Sequence, residues 1–339
     1  MIIDPAVVLG VLLALVSLPL VGMAGAFVSR YVPGRWRILR ILWFLFLYLL
    51  VEAAALIALL SLWIASGFGW KTGEPFWQRA HYRLFGWMLR RVVASAKFTF
   101  RVTILREGEA PRTVRSERRR PALVMSRHAG PGDSMMLMDA LCNMFDRRPQ
   151  IVLKEFLQWD PAIDVMLNRL PSIFVPVDKT GGGLVGEAIE SIAASMGADD
   201  AFVIFPEGAN YTRKRFVRSI EKLKEIGRPD LAERAAELEN TLPPRSTGVK
   251  LALANAPVPH DVFFVGHAGL ETFVSWGDIW RGMPMDTEVA VKIWHYPYEA
   301  IPSVESQEEW LYDVWAEIDA WIGLRMSDTG EPFDDPAYY

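Results

Sequence analysis

Ala122-Leu123-Val124-Met125-Ser126-Arg127-His128-Ala129-Gly130-Pro131-Gly132-Asp133 sets the fold of this chain. A short apolar run, Ala122–Met125, leads into a turn of glycine and proline and then a helical stretch, Asp133–Phe145. The same alternation recurs downstream. Apolar runs at Ile151–Leu153, Ile173–Val177, Ala201–Phe205, Val262–Val265 and Val289–Trp294 are separated by helical stretches at Leu184–Met196, Phe216–Asn240 and Ser303–Leu324. Strands alternating with helices predict an α/β domain with a mainly parallel sheet flanked by helices. Ligand sites in such sheets gather beyond the carboxyl ends of strands. The turn at Ser126–Asp133 stands there, and so does Phe205-Pro206-Glu207-Gly208 at the end of a later run. Upstream, Lys97–Leu105 alternates and reads as a strand, followed by the basic loop Arg112–Arg120. Lys214–Asn240 is densely charged and is expected to be a solvated helical face.

The turn carries chemistry as well as topology. His128 and Asp133 place a base and a carboxylate close together. An imidazole with an unperturbed pKa of ~6.5 is available as a neutral base at physiological pH. A carboxylate on its other ring nitrogen fixes the tautomer and stabilises the imidazolium that forms. Asp133 falls at the start of the following helix, where it can cap that helix while reaching back to His128. Free backbone N–H groups around Gly130 to Asp133 are oxyanion-hole candidates. No GxSxG elbow is present, which argues against a serine hydrolase. No HExxH or clustered ligand pattern points to zinc. His81, His260, His267 and His295 are scattered and are read as structural. Cys142 is the single cysteine, so no intrachain disulfide or cysteine metal cluster can form.

The His128-x4-Asp133 block and the Phe205–Gly208 block, in that order, resemble the HX4D and FPEG blocks of the glycerolipid acyltransferase family. The resemblance runs from about 123 to 266. It implies that His128 is the general base, oriented by Asp133. Lys154-Glu155-Phe156-Leu157 with Pro161, ending at Val177-Asp178-Lys179, resembles the second block, with Lys179 where arginine is typical. Lysine keeps the charge and loses the bidentate fork. The third block usually continues Thr-Arg, whereas this chain has Ala209-Asn210; Arg213, Lys214 and Arg215 follow closely. Pro244-Arg245-Ser246-Thr247-Gly248 resembles the Pro-Arg-x-x-Gly element of a subgroup that includes lysocardiolipin-type acyltransferases.

The resemblance implies transfer of a fatty acyl group from a thioester to the sn-2 hydroxyl of lysophosphatidic acid. Acyl-CoA or acyl-acyl carrier protein is the implied co-substrate, and no bound cofactor or metal is expected. Glu207 and Gly208 are expected to shape the acceptor site, and Lys179, Arg213 and Arg245 to contact its phosphate. Another lysophospholipid, polyol or glycolipid acceptor stays open because of the altered third block. A non-catalytic membrane-anchored interaction protein is the alternative of another class, and loss of function on His128→Ala separates the two.

Ala6–Val28 is an uncharged run of 23 residues and Ile41–Gly67 a run of 27 whose one charge is Glu52. Both are long enough to cross a bilayer. The chain is therefore expected to hold an N-terminal pair of membrane helices within 1–70, an amphipathic interfacial segment at 71–101, the α/β domain at 102–326 and a flexible tail at 327–339. The formal net charge of −4 hides a basic front, Arg30 to Arg120, and an acidic end. Basic residues beside apolar segments suit anionic lipid headgroups, and no nucleic-acid motif accompanies them. Membrane phospholipids are thus the expected partners, with a membrane location and an active site facing the cytoplasm. Arg30, Arg35, Arg37 and Arg40 between the segments, and Lys71, Arg79, Arg83, Arg90 and Arg91 after them, fit either a hairpin dipping into one leaflet or a spanning pair.

Overall fold

The computed structural model describes residues 3–32, 34–108, 119–129, 132–175, 183–271 and 276–329. In chain order its elements begin with α1 (Ile3–Ser29), α2 (Arg37–Ala65), α3 (Pro75–Phe100), β1 (Thr103–Glu107), β2 (Ala122–Ser126) and α4 (Asp133–Asn143). Then come β3 (Arg148–Lys154), α5 (Pro161–Leu167), β4 (Ile173–Val175), α6 (Gly183–Ser195), β5 (Asp200–Ile204), α7 (Arg213–Glu225) and α8 (Pro229–Ala236). The chain closes with α9 (Ser246–Asn255), β6 (Asp261–Ala268), α10 (Trp276–Gly282), β7 (Glu288–Tyr296) and α11 (Gln307–Thr329). Two compact units form. The first is Met1–Thr103, Met135–Leu184 and Gly277–Thr287; the second is Ile104–Ser134, Val185–Trp276 and Glu288–Tyr339.

In the second unit the strands run in the order β1-β7-β6-β2-β5. β2 is parallel to both neighbours, with Val124 opposite Val203 of β5 and Phe263 of β6. β7 is antiparallel to β6, Val265 facing Ile293. All five residues of β2 and all eight of β6 are buried, as strands covered on both faces require. That is why these strands read as unbroken apolar runs rather than alternating ones. Leu311, Trp315, Ile318 and Ile322 of α11 are wholly buried and recur at helical spacing, so one stripe of α11 faces the interior. Trp310 packs edge-on against Phe264 and Tyr296. Because β2, β5 and β6 are parallel, their carboxyl ends share one edge, and the segments after Ser126, Ile204 and Ala268 all leave from it.

In the first unit, α1 and α3 both pack on α2, and β3 pairs parallel with β4. Tyr82, Phe85, Met88, Leu89, Val92 and Val93 of α3 are buried, so this helix turns its apolar face to the protein and its arginines outward. Among the described residues one helix, α2, is long and apolar enough to cross a membrane; α1 contributes the shorter apolar stretch Leu20–Ser29. The expected pair is therefore supported at one member.

Several expected elements are corrected. Lys97–Phe100 is not the start of a strand: α3 continues through it and ends at Arg101, which takes a left-handed conformation, before β1 begins at Thr103. Phe98 is exposed and Thr99 buried, an alternation that a helix end and a strand both produce. The charged stretch Phe216–Asn240 is two helices rather than one. Gly227, at φ +76°, follows the end of α7, and Pro229 opens α8, the usual stop and start signals. Ser303–Leu324 begins with a single 3-10 turn at Val304–Ser306, and α11 runs on to Thr329, into the expected tail. α5, α9 and α10 were not anticipated; each is ten residues or fewer.

Candidate active site

His128 stands two residues beyond β2 and Asp133 opens α4, so strand end and helix start bring the pair together as the sequence predicts. His128 Nδ1 donates to Asp133 Oδ2 at 2.9 Å. Asp133 is buried and its Oδ2 also accepts the Ala129 N–H at 3.0 Å, while Oδ1 accepts the N–H of Ser134 at 2.5 Å and its hydroxyl at 3.1 Å. A carboxylate held by this many donors has one orientation. Its bond fixes the proton of His128 on Nδ1, leaving the Nε2 lone pair as the basic site. Among the described residues Nε2 has no partner, and the side chain is 29% exposed. The imidazole lies tilted against the Phe205 ring, centroids 4.8 Å apart. This geometry suits a general base that meets its substrate from solvent or lipid.

Glu207 differs from expectation. The sequence places it in the acceptor site, yet it is buried, and each oxygen accepts a backbone N–H: Oε1 from His128 at 2.9 Å and Oε2 from Leu242 at 3.0 Å. Its role is to tie the base's own backbone to a distant loop. Burial pushes its carboxyl up to about 7, against the opposing pull of Arg127 and the two N–H donors.

Gly208 is at φ +68°, and a Cβ there would lie 2.8 Å from Arg245 Cζ. Only glycine both adopts this backbone readily and lets the guanidinium lie so close. Arg245 is held by its backbone N–H, which donates to Pro206 O at 2.9 Å. Its side chain is exposed and has no hydrogen-bond or ion-pair partner among the described residues. Arg213 is also exposed and lies over the Phe216 ring at 5.2 Å. The structure thus brings His128, Asp133, Glu207, Gly208 and Arg245 into one connected set and puts Arg213 at the start of α7. Lys179, Gly130 and Pro131 lie outside the described residues. Gly132, at φ +97°, has open space where a Cβ would be.

Sequence reasoning missed the layer beneath. Arg127 is wholly buried; it pairs with Glu271, and donates to His267 O at 2.6 Å and Asn240 O at 2.8 Å. Glu271 also accepts the Gly269 N–H at 2.6 Å. Burial, the largest single influence, would raise the Glu271 carboxyl, but the Arg127 charge and hydrogen bond, a backbone N–H and the nearby His267 together hold the group low. His267, read as merely structural, is part of this layer. Its Nε2 donates to Arg127 O at 3.3 Å and lies 3.7 Å from Asp133 Oδ2, and burial lowers its basicity. The one signal available was position, since His267 and Glu271 lie at the carboxyl end of the Val262–Val265 run.

Among the described residues no group of acidic, histidine or cysteine side chains could hold a metal ion. No curated protein and no solved structure matches the chain. Residues 107–260 match the family model described as Acyltransferase, the stretch that contains His128, Asp133, Glu207, Gly208 and Arg245, and the match supports the glycerolipid acyltransferase resemblance and an enzyme that transfers acyl groups.

Proposed function

We propose that this protein is a membrane-bound O-acyltransferase that moves a fatty acyl group from an acyl thioester to the sn-2 hydroxyl of lysophosphatidic acid. The observation that carries the reading is the 2.9 Å bond from His128 Nδ1 to a buried Asp133, with Nε2 open, inside the matched residues. The acceptor hydroxyl gives its proton to Nε2 as its oxygen attacks the thioester carbonyl. The C–S bond then breaks, and the thiol leaves with the proton that His128 returns. Asp133 stabilises the imidazolium in between. No covalent acyl-enzyme is needed. The exposed Arg245 guanidinium against Gly208 favours a phosphate-bearing acceptor and stands in for the arginine missing after the third block. Arg213, exposed at the start of α7, is a second phosphate contact in this reading and Lys179 a third.

A membrane location is supported by α2. Its exposed row includes Trp43, Leu45, Ile57, Leu60 and Ile64. Its other side makes polar contacts with the protein at points from Arg37 to Leu59. Arg37 donates to Met283 O and Arg281 O, and Arg40 to Thr99 O. Tyr48 donates to Asp160, Glu52 accepts the Ala162 N–H, and Leu59 O accepts from Arg169. From Arg37 to Leu59 is ~33 Å of helix, as long as the ~30 Å hydrocarbon core is thick. A spanning helix would carry Asp160 and Arg169 into that core at high cost. We therefore favour the hairpin that dips into one leaflet over the spanning pair, with Arg30 to Arg91 at the headgroups of the cytoplasmic face.

The test is acyl transfer by detergent-purified protein from labelled acyl-CoA to a panel of lysophosphatidate, other lysophospholipids and glycolipids, beside His128→Ala. Product with lysophosphatidate, abolished by the substitution, supports the reading. Product with another acceptor alone moves the substrate and keeps the chemistry. Absence of product from both acyl-CoA and acyl-acyl carrier protein refutes it.

A further inference from the structure

The loop that receives the Glu207 carboxylate is held from its other side by α11, the last described helix, which lies beyond the matched residues 107–260. Asp319 is buried and accepts the N–H of Glu239 at 3.0 Å, the N–H of Asn240 at 2.8 Å and the Thr241 hydroxyl at 2.8 Å. Its backbone carbonyl takes the Asn240 side-chain amide at 3.2 Å. One turn earlier the wholly buried Trp315 donates its indole N–H to Leu242 O at 3.0 Å. Two turns earlier still, Glu308 accepts the Ser246 hydroxyl at 2.5 Å and pairs with Arg228 at 2.8 Å. Glu308, Trp315 and Asp319 recur at the spacing of one helix face, and each grips the segment 239–246.

That segment spends its free groups on the site. Asn240 O accepts from Arg127, Leu242 N–H donates to Glu207, and Arg245 lies against Gly208. Glu207 in turn accepts the N–H of His128. Two independent lines thus run from α11 to the base: Asp319 through Asn240 to Arg127, and Trp315 through Leu242 to Glu207. We infer that Asp319 and Trp315 are positioning residues for acyl transfer, setting the placement of His128 through the 239–242 loop. The inference rests on the acyltransferase reading for its kinetic consequence and on hydrogen bonding alone for its structural one. A buried carboxylate that binds backbone donors on a loop is suited to this, because charge-assisted bonds of that kind are stronger and more directional than neutral ones. Misplacement of a base by about 1 Å can cost on the order of 100-fold in rate.

The experiment compares full-length wild type with Asp319→Asn, Trp315→Phe and Asp313→Ala in detergent. Trp315→Phe removes the indole N–H and keeps most of the ring. Asp313→Ala removes an exposed partner of Arg234 on the same helix and controls for weakening of α11. The readouts are kcat and KM for acyl transfer, thermal melting, and hydrogen exchange of peptides covering His128 and Leu242. The expected result is a fall in kcat of about 10–100-fold for Asp319→Asn and a smaller fall for Trp315→Phe. KM should stay within about threefold, both amides should exchange faster, and Asp313→Ala should behave as wild type. Unchanged kcat with unchanged exchange in folded Asp319→Asn overturns the inference, as does an equal kcat loss in Asp313→Ala. If Asp319→Asn does not fold, Trp315→Phe decides by the same criteria. If wild type transfers no acyl group, the function has failed separately, and exchange at His128 still decides the coupling.

Discussion

Glu207→Gln makes the sharpest test of how the base is held. Glu207 is buried with both oxygens on backbone N–H groups, and its carboxyl is pushed up to about 7 from an ordinary 4.5, first by burial. Folded protein therefore keeps this proton to higher pH than the unfolded chain does. Between about 4.5 and 7 the folded state binds more protons, so the group's contribution to stability falls as pH rises through that window. A difference of this size corresponds to about 3 kcal/mol. Glutamine has the shape of the protonated acid and does not titrate. Against wild type, Glu207→Gln should thus gain about 3 kcal/mol in relative stability between pH 4.5 and 8. Activity should move the other way. At pH 8 the amide presents its own N–H groups to one of the two backbone donors, leaving that donor without an acceptor, which costs about 1–3 kcal/mol locally and loosens His128. Denaturant titrations of both proteins at pH 4.5, 6 and 8 measure the gap. A gap that is constant with pH, or that shifts in favour of wild type, would refute the placement of a buried, titrating carboxylate behind the base.

Other consequences follow from the same contacts. Glu271→Ala leaves Arg127 charged and buried, and should cost about 3–5 kcal/mol in denaturant unfolding, with no pH-dependent recovery at neutral pH. Gly208→Ala places a Cβ against the Arg245 guanidinium at a left-handed backbone position; about 1–2 kcal/mol of backbone strain should accompany a raised KM for phosphate-bearing acceptors. Arg245→Ala should raise that KM at least tenfold while leaving KM for the acyl thioester within about threefold, in line with loss of a charge-assisted hydrogen bond worth ~1.5–3 kcal/mol. Asp160→Ala removes the side chain that accepts the Ile163 N–H at the start of α5 and should lower stability by about 0.5–2 kcal/mol, read by thermal melting in detergent.

The parallel core was legible because β2, β5 and β6 are covered on both faces and therefore appear as runs of apolar residues with no polar alternation. The pair His128 and Asp133 was legible because a single turn holds both. The helix boundaries were less so: Lys97–Phe100 alternates in sequence, yet tertiary packing of α3 against α2 carries the helix through it. The support for the site was hidden for a different reason. Arg127 meets Glu271, and Leu242 meets Glu207 and Trp315, across long stretches of chain, and no local pattern marks either end of such a contact. Glu207 itself was visible as a motif residue, but its partners were not, so it was placed toward substrate when its carboxylate faces backbone. Asp319 looks in sequence like any acid on a charged helix; only its burial among three donors from 239–241 distinguishes it.

The central claim is that His128, oriented by Asp133, removes the proton from the acceptor hydroxyl. It is tested most directly by single-turnover acyl transfer from acyl-CoA to lysophosphatidate with wild type, His128→Ala and Asp133→Asn at saturating substrate. Loss of general-base catalysis should slow the chemical step by about 10²–10⁴-fold in His128→Ala, and Asp133→Asn should slow it strongly as well, with substrate affinity largely kept in both. A His128→Ala protein that is folded and transfers acyl groups within about threefold of wild type would contradict the mechanism, which gives that proton to His128 alone.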